Sequence, residues 1–394
     1  MNCMTSRLCA FLASLLLICS PAYEWDLKLP SLSLPSWLTG SDSDRFSSLW
    51  DDAMGELDDA LGRLDEAEYL PDERLIGNDR SKNDRKIDSI LEEVVAILAD
   101  SEASNIRAEI MALRERIASR RAKLALLQER RVSAPSEGGL LNRGKDDLDE
   151  TIESETEAMV SDERALDSLE DDFVSAMKKS GVNGSDESIR GMLAGVTADD
   201  IVAMQGVYLN VRFFADKLTE LMESSSDDIS VAKRYYGIYA LLIRTCLVMN
   251  ERFVEKIENR YIPELNDMET SAEGLAAEMG AQMGDPSLTS SQRALLRSNL
   301  DSTAITLRAI EAYRGYLEEQ RDFALKNVDA FGRDYGVAYN AYRTMRLARG
   351  LLDLVKANRK DFDALASLEI PDVVVFSNDR LKKEFIAITE GLKN

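Results

Sequence analysis

The sequence predicts an all-α protein, a long antiparallel coiled-coil hairpin followed by an elongated helical bundle with no sheet. Three observations carry that expectation. Aromatic residues make up 7% of the 394 residues while charged residues reach 30%, a profile of helical bundles and coiled coils. Eight prolines punctuate the chain, leaving long stretches rich in Ala, Leu, Glu and Arg, as helix interiors require. Along those stretches apolar residues recur at three- and four-residue spacing, the period of one helix face.

The elements follow in order. Residues 1–22 carry one charge, Arg7, then the apolar run Leu8–Cys19, and end in Ser20-Pro21-Ala22. Twelve apolar residues are too few to span a bilayer and suit the core of a signal peptide, with small residues placed for cleavage between Ala22 and Tyr23. The expectation is export to the periplasm or beyond. Cleavage removes Cys3, Cys9 and Cys19, so the one remaining thiol, Cys246, has no internal disulfide partner and reads as a packed core residue. No other segment approaches the apolar length of a membrane span. Residues 23–42 follow, with two prolines, alternating leucines and two tryptophans. They read as an extended segment whose Trp25, Leu29, Leu34 and Trp37 dock on the protein's own bundle or on a partner.

Helices are expected at 43–68, 81–132, 145–180, 197–223, 227–283 and 289–367, with a short one near 379–392. Residues 181–196 read as a linker, and 368–378 as extended, with Ile370–Phe376 as the one strand-like run. Thr197–Asp200 and Ser225–Asp228 have capping-box spacing. Pro263 should bend or restart its helix, and Gly332, Gly336 and Gly350 offer places to break the last long one. Within 81–132, Ile87, Ile90, Val94 and Ile97 form a seam, which resumes out of phase as Ile106, Ile110, Leu113, Ile117, Leu124 and Leu127. Such a phase shift implies a local change of winding. Arg120 falls on the seam and weakens its packing.

Charge suggests the partner of that helix. Between Arg107 and Arg131 stand eight basic residues against three acids; between Lys145 and Asp172 stand thirteen acids against two basic residues. With a Pro/Ser/Gly turn between them, the two helices form an antiparallel hairpin over 81–180 with complementary flanks.

Residues 197–367 read as the bundle. Tyr235, Tyr239, Leu242, Cys246 and Met249 mark one helix face; Phe331, Tyr335, Tyr339 and Tyr342 mark another, beside glycines that would let helices approach closely. Rings at such spacing pack a core. The alternative is a groove lined by Tyr235, Tyr239, Phe331, Tyr335, Tyr339 and Tyr342 that stacks a ligand, aided by arginines.

Composition excludes several functions. The formal charge of −23 leaves no basic face for nucleic acid and opposes anionic membranes, so no membrane contact is expected after cleavage. The absence of histidine removes Ser/His and Cys/His nucleophile pairs and most zinc sites. No phosphate-binding, dinucleotide or nucleophile-elbow motif occurs. The reading is therefore no enzyme, no cofactor and no resident metal. It is an exported structural or adaptor protein that meets other envelope proteins, or itself, through its coiled coil; the alternative is a ligand-binding bundle using the tyrosine-lined groove.

Overall fold

A computed structural model describes residues 41–67, 69–72, 74, 78–135, 144–224, 229–345 and 379–393. The cleavage site at Ala22 and Tyr23, the segment holding Trp25, Leu29, Leu34 and Trp37, the box at Ser225–Asp228 and the strand-like run Ile370–Phe376 lie outside them. The described residues are all-α, with no strand among them. The helices are α1 (Ser41–Ala67), α2 (Arg80–Leu98), α3 (Glu102–Ser133), α4 (Lys145–Lys179), α5 (Asp186–Met192), α6 (Ala198–Ser224), α7 (Ile229–Lys256), α8 (Ile262–Met283), α9 (Ser290–Met345) and α10 (Asp379–Lys393). The chain divides into two units, Met1–Ser48 and Leu49–Asn394. Of α1, the residues from Leu49 on belong to the second unit, which holds the core.

At the centre of that core is α7. It is buried on nearly every side between Tyr236 and Cys246, as expected of a helix that is apolar around most of its circumference, and it packs against α2, α6 and α9. Cys246 is fully buried there, and desolvation pushes its thiol pKa far up, which leaves it unreactive. Beside it, Asn250 Nδ2 donates to the Tyr208 hydroxyl at 2.7 Å and to the Cys246 carbonyl at 2.7 Å, so these buried polar groups are paired. Helix α1 lies on the same core through Leu57, Leu61 and Leu64, with Asp58 paired to Arg234 of α7.

The close helix approaches fall elsewhere than expected. A Cβ at Gly332 or Gly336 would meet nothing within 4 Å, and α9 runs through both without a break. Tight contacts are at Gly237, where a Cβ would run into Leu61 and lie 2.9 Å from Tyr342, at Gly206, where it would lie 2.7 Å from the Ala99 carbonyl oxygen, and at Gly391, where it would lie 2.6 Å from the Met268 methyl. The segment beyond Met345, including Gly350, lies outside the described residues. At Pro263 the expected bend takes the form of a wide π-turn, Ile257–Tyr261, just before Pro263 in the first turn of α8, a widening of the kind that accommodates a residue without an N–H inside a continuous helix.

The single helix expected over 81–132 is two. The break at Ala99–Ser101 is built by both sides. Ser101 and Ser104 form a reciprocal capping box at the start of α3. From α6, Asn210 Nδ2 donates to the Leu98 carbonyl at 2.7 Å and the Asp100 carbonyl at 3.1 Å, satisfying acceptors that a helix end leaves open. Gly206 lets the α6 backbone come close enough for this. The phase shift between the two seams is thus a joint, and α2 packs on α6 and α7 instead of extending the hairpin. Residues 181–196, read as a linker, contain α5. The Thr197–Asp200 box does not form: the Thr197 hydroxyl makes no hydrogen bond, and Asp200 pairs with Lys256 at 2.8 Å.

Helices α3 and α4 pair antiparallel. Moving along α3, partners on α4 recede: Glu102–Lys179 at 3.6 Å, Arg114–Glu170 at 2.7 Å, Arg116–Asp162 at 2.7 Å, Arg120–Glu155 at 2.7 Å, then Arg131–Asp149. Arg120, expected to weaken the seam, is answered across it by Asp162 as well, at 2.8 Å. Arg107 leaves this ladder and turns to Asp199 at the start of α6.

Gly206→Ala forces the α6 backbone off the α2–α3 joint and is expected to lower stability by about 1–3 kcal/mol. Gly332→Ala, with open space around it, should raise stability by about 0.5–1 kcal/mol through better helix propensity. Urea unfolding followed by circular dichroism measures both.

Candidate functional site

The six aromatic residues of the proposed groove divide. Tyr239, Phe331 and Tyr342 are buried: Phe331 stacks on Tyr208 with centroids 5.8 Å apart, and the Tyr342 hydroxyl donates to Asp65 of α1. Tyr235 is half-buried, with the Arg234 guanidinium 5.5 Å from its ring centre. Tyr335 and Tyr339 line a recess of about 510 Å³. Their rings stack at 5.7 Å and 17°, with Arg244 over the first at 5.5 Å and Arg343 over the second at 5.9 Å. Arg244 is held from within, by Asp88 at 2.7 Å, Asp84 at 3.6 Å and the Tyr335 hydroxyl at 3.3 Å. Burial pushes the Tyr335 pKa up, and the nearby Arg244 charge pulls against that shift. The recess is a lattice of internal ion pairs around two rings that belong mostly to the core.

A larger groove, of about 1370 Å³, lies between the α3–α4 pair, α5 and α10. Its apolar lining comes from Met111 and Ile117 of α3, Leu166 of α4, Leu193 after α5, and Phe385 and Ile386 of α10. Ile386 is 41% exposed, an apolar side chain left open to solvent in a concave site. Helix α10 is seated by Phe385, stacked on Tyr313 at 4.1 Å, and by the Thr389 hydroxyl, which donates to the Ala194 carbonyl at 2.7 Å. Arg114 joins three walls at once: Nη2 reaches Glu170 at 2.7 Å, and Nη1 donates to the Leu193 carbonyl at 3.1 Å.

Charge around the groove is uneven. Arg121 and Arg190 are taken by Glu163 and Asp171. Glu115, Asp167 and Glu187 line the groove, are exposed, and have no ion-pair partner among the described residues. The groove is an apolar trough with an acidic rim.

Sequence reasoning missed this site. The apolar period of α10, Phe385–Ile388–Leu392, was readable, and Ile386 falls off that face; the leftover residue was the available signal. Among the described residues no helix is long and apolar enough to cross a membrane, and no cluster of three or more acidic or thiol side chains is arranged to hold a metal ion. The chain matches no protein-family model, no curated protein and no solved structure.

The ladder that sets the groove wall is acid-sensitive. Hydrogen bonds from Arg116 and then Arg120 hold the Asp162 pKa below the ordinary carboxylate value; Lys123 and Arg120 do the same for Glu155, and Arg131 for Asp149. Groups whose pKa is depressed in the folded state contribute stability that is complete above about pH 4, the unfolded value, and is lost as pH falls through the folded values. Asp200 and Glu251, raised by burial, act in the opposite sense, so a local readout is needed. In hydrogen exchange, α4 peptides compared with α7 peptides of the same sample should keep their relative protection down to about pH 5 and lose it below about pH 4.

Proposed function

We propose that this protein is an exported helical adaptor of the cell envelope, whose groove receives a basic amphipathic helix of a partner protein. The export half of the reading rests on the charge, apolar run and small residues of positions 1–22. The docking half rests on one observation, an apolar trough of about 1370 Å³ rimmed by the unpaired acids Glu115, Asp167 and Glu187. Apolar anchors laid into a groove at helical spacing are a common mode of helix recognition, and the acidic rim selects a basic flank. A second copy of this chain is disfavoured by its own charge of −23. No catalytic role is part of the reading.

A labelled Leu/Lys amphipathic peptide and its Leu/Glu counterpart test it by fluorescence anisotropy. The basic peptide should bind and the acidic one should not. Ile386→Asp should weaken binding by roughly tenfold through the lost apolar contact, although it makes the protein more acidic. Unspecific attraction to a negative surface would leave that variant's affinity unchanged or higher, and that result would overturn docking in the groove.

A further inference from the structure

The chain itself carries a stretch of the chemistry that the groove selects. Residues 346–360, outside the described residues, read RLARGLLDLVKANRK and hold five basic residues against one acid, Asp353. On a helix, Leu347, Leu351, Leu354 and Val355 fall on one face. Arg346, Arg349, Lys356 and Lys360 fall on the opposite one. In a chain of charge −23 the sign is thus reversed locally. It is opposite to that of Glu115, Asp167 and Glu187, which rim the groove, are exposed and have no ion-pair partner among the described residues.

This stretch is out of reach of the groove of its own chain. The groove lies beside Tyr313 of α9, on which Phe385 of the groove wall is stacked. From Tyr313, α9 runs on to Met345 without a break, about 48 Å at 1.5 Å per residue. Leu347 stands two residues beyond Met345, a reach of about 7 Å. A second copy has no such limit. We infer that the groove accepts residues 346–360 of a second copy as a helix. The contact is head-to-tail, one copy giving the helix and the next the groove. It rests on the docking groove proposed above and names an occupant for it. The net charge that disfavours a second copy as a whole keeps this contact weak. A basic helix of another protein displaces it, so self-association and partner binding exclude each other.

Sedimentation velocity on the full chain gives the test. The unmodified protein should associate beyond a dimer as its concentration rises, and return to monomer as salt is raised. Ile386→Asp spoils the groove and Leu351→Asp the helix face. Each alone should raise the half-association concentration by roughly tenfold. Mixed in equal amounts, the two variants should form a dimer and nothing larger, because one intact groove meets one intact helix; that dimer also shows that both variants fold. The labelled Leu/Lys peptide should break the assemblies up. A chain that binds this peptide yet stays monomeric at every concentration would overturn the inference and leave the groove reading standing. A chain that does neither would sink both. Association that both single variants retain would also overturn it, as would flotation with phosphatidylglycerol vesicles in place of self-association.

Discussion

The guanidinium of Arg120 on the inner seam of the α3–α4 pair is the constraint on which the candidate site depends. It is answered by two carboxylates of α4, Glu155 at 2.7 Å and Asp162 at 2.8 Å, and Asp162 is also held by Arg116. Half-exposed ion pairs add little to stability. Their effect is on geometry, because a polar residue at a seam position sets register at some cost in packing. Sliding α4 by one turn would leave Arg120 facing apolar positions and detach Glu170 from Arg114. Arg114 is the residue that carries the hairpin's register to the turn at Leu193 and thereby to the wall of the groove.

A second constraint holds that hairpin to the core. The joint at Ala99–Ser101 redirects the chain from α2, which belongs to the α6–α7 layer, into α3, which leaves it. Gly206 and Asn210 make the joint from one side and the Ser101–Ser104 box from the other. The ion pair of Arg107 with Asp199, one turn and a half further along α3, fastens the hairpin to the start of α6. Register and joint together place Met111, Ile117 and Leu166 opposite Phe385 and Ile386, although these residues come from distant parts of the sequence.

Much of the fold was legible because its causes are local. The limits of α4 and α6 follow from proline-free periodic stretches, and the pairing of α3 with α4 from charge runs of opposite sign. The burial of Cys246 follows from its apolar surroundings in sequence. What was not legible depends on contacts far apart in the chain. The α2–α3 break looked like a change of winding because the group that accepts the helix end, Asn210, lies 112 residues from Leu98. Thr197 had the sequence of a cap and instead lies fully buried, bearing on the Tyr316 hydroxyl of α9. Of the tyrosine stripe, the periodicity correctly gave a shared face. It could not tell Tyr342, buried against Asp65, from Tyr335 and Tyr339 at the rim of a recess, because α1 decides that difference. The groove needed α10 folded back on α3 and α5, which no pattern within α10 encodes.

The adaptor reading joins an acidic, histidine-free chain to a concave apolar surface that its own described residues leave uncovered. Its central claim concerns where a partner sits. Cross-linking mass spectrometry in the envelope of the protein's own host, with a reagent joining carboxylates to amines, tests that most directly. Docking in the groove predicts links from Glu115, Asp167 or Glu187 to lysines of one helix in a second protein. Links confined to other faces, or none from these three acids while other carboxylates react, would contradict it.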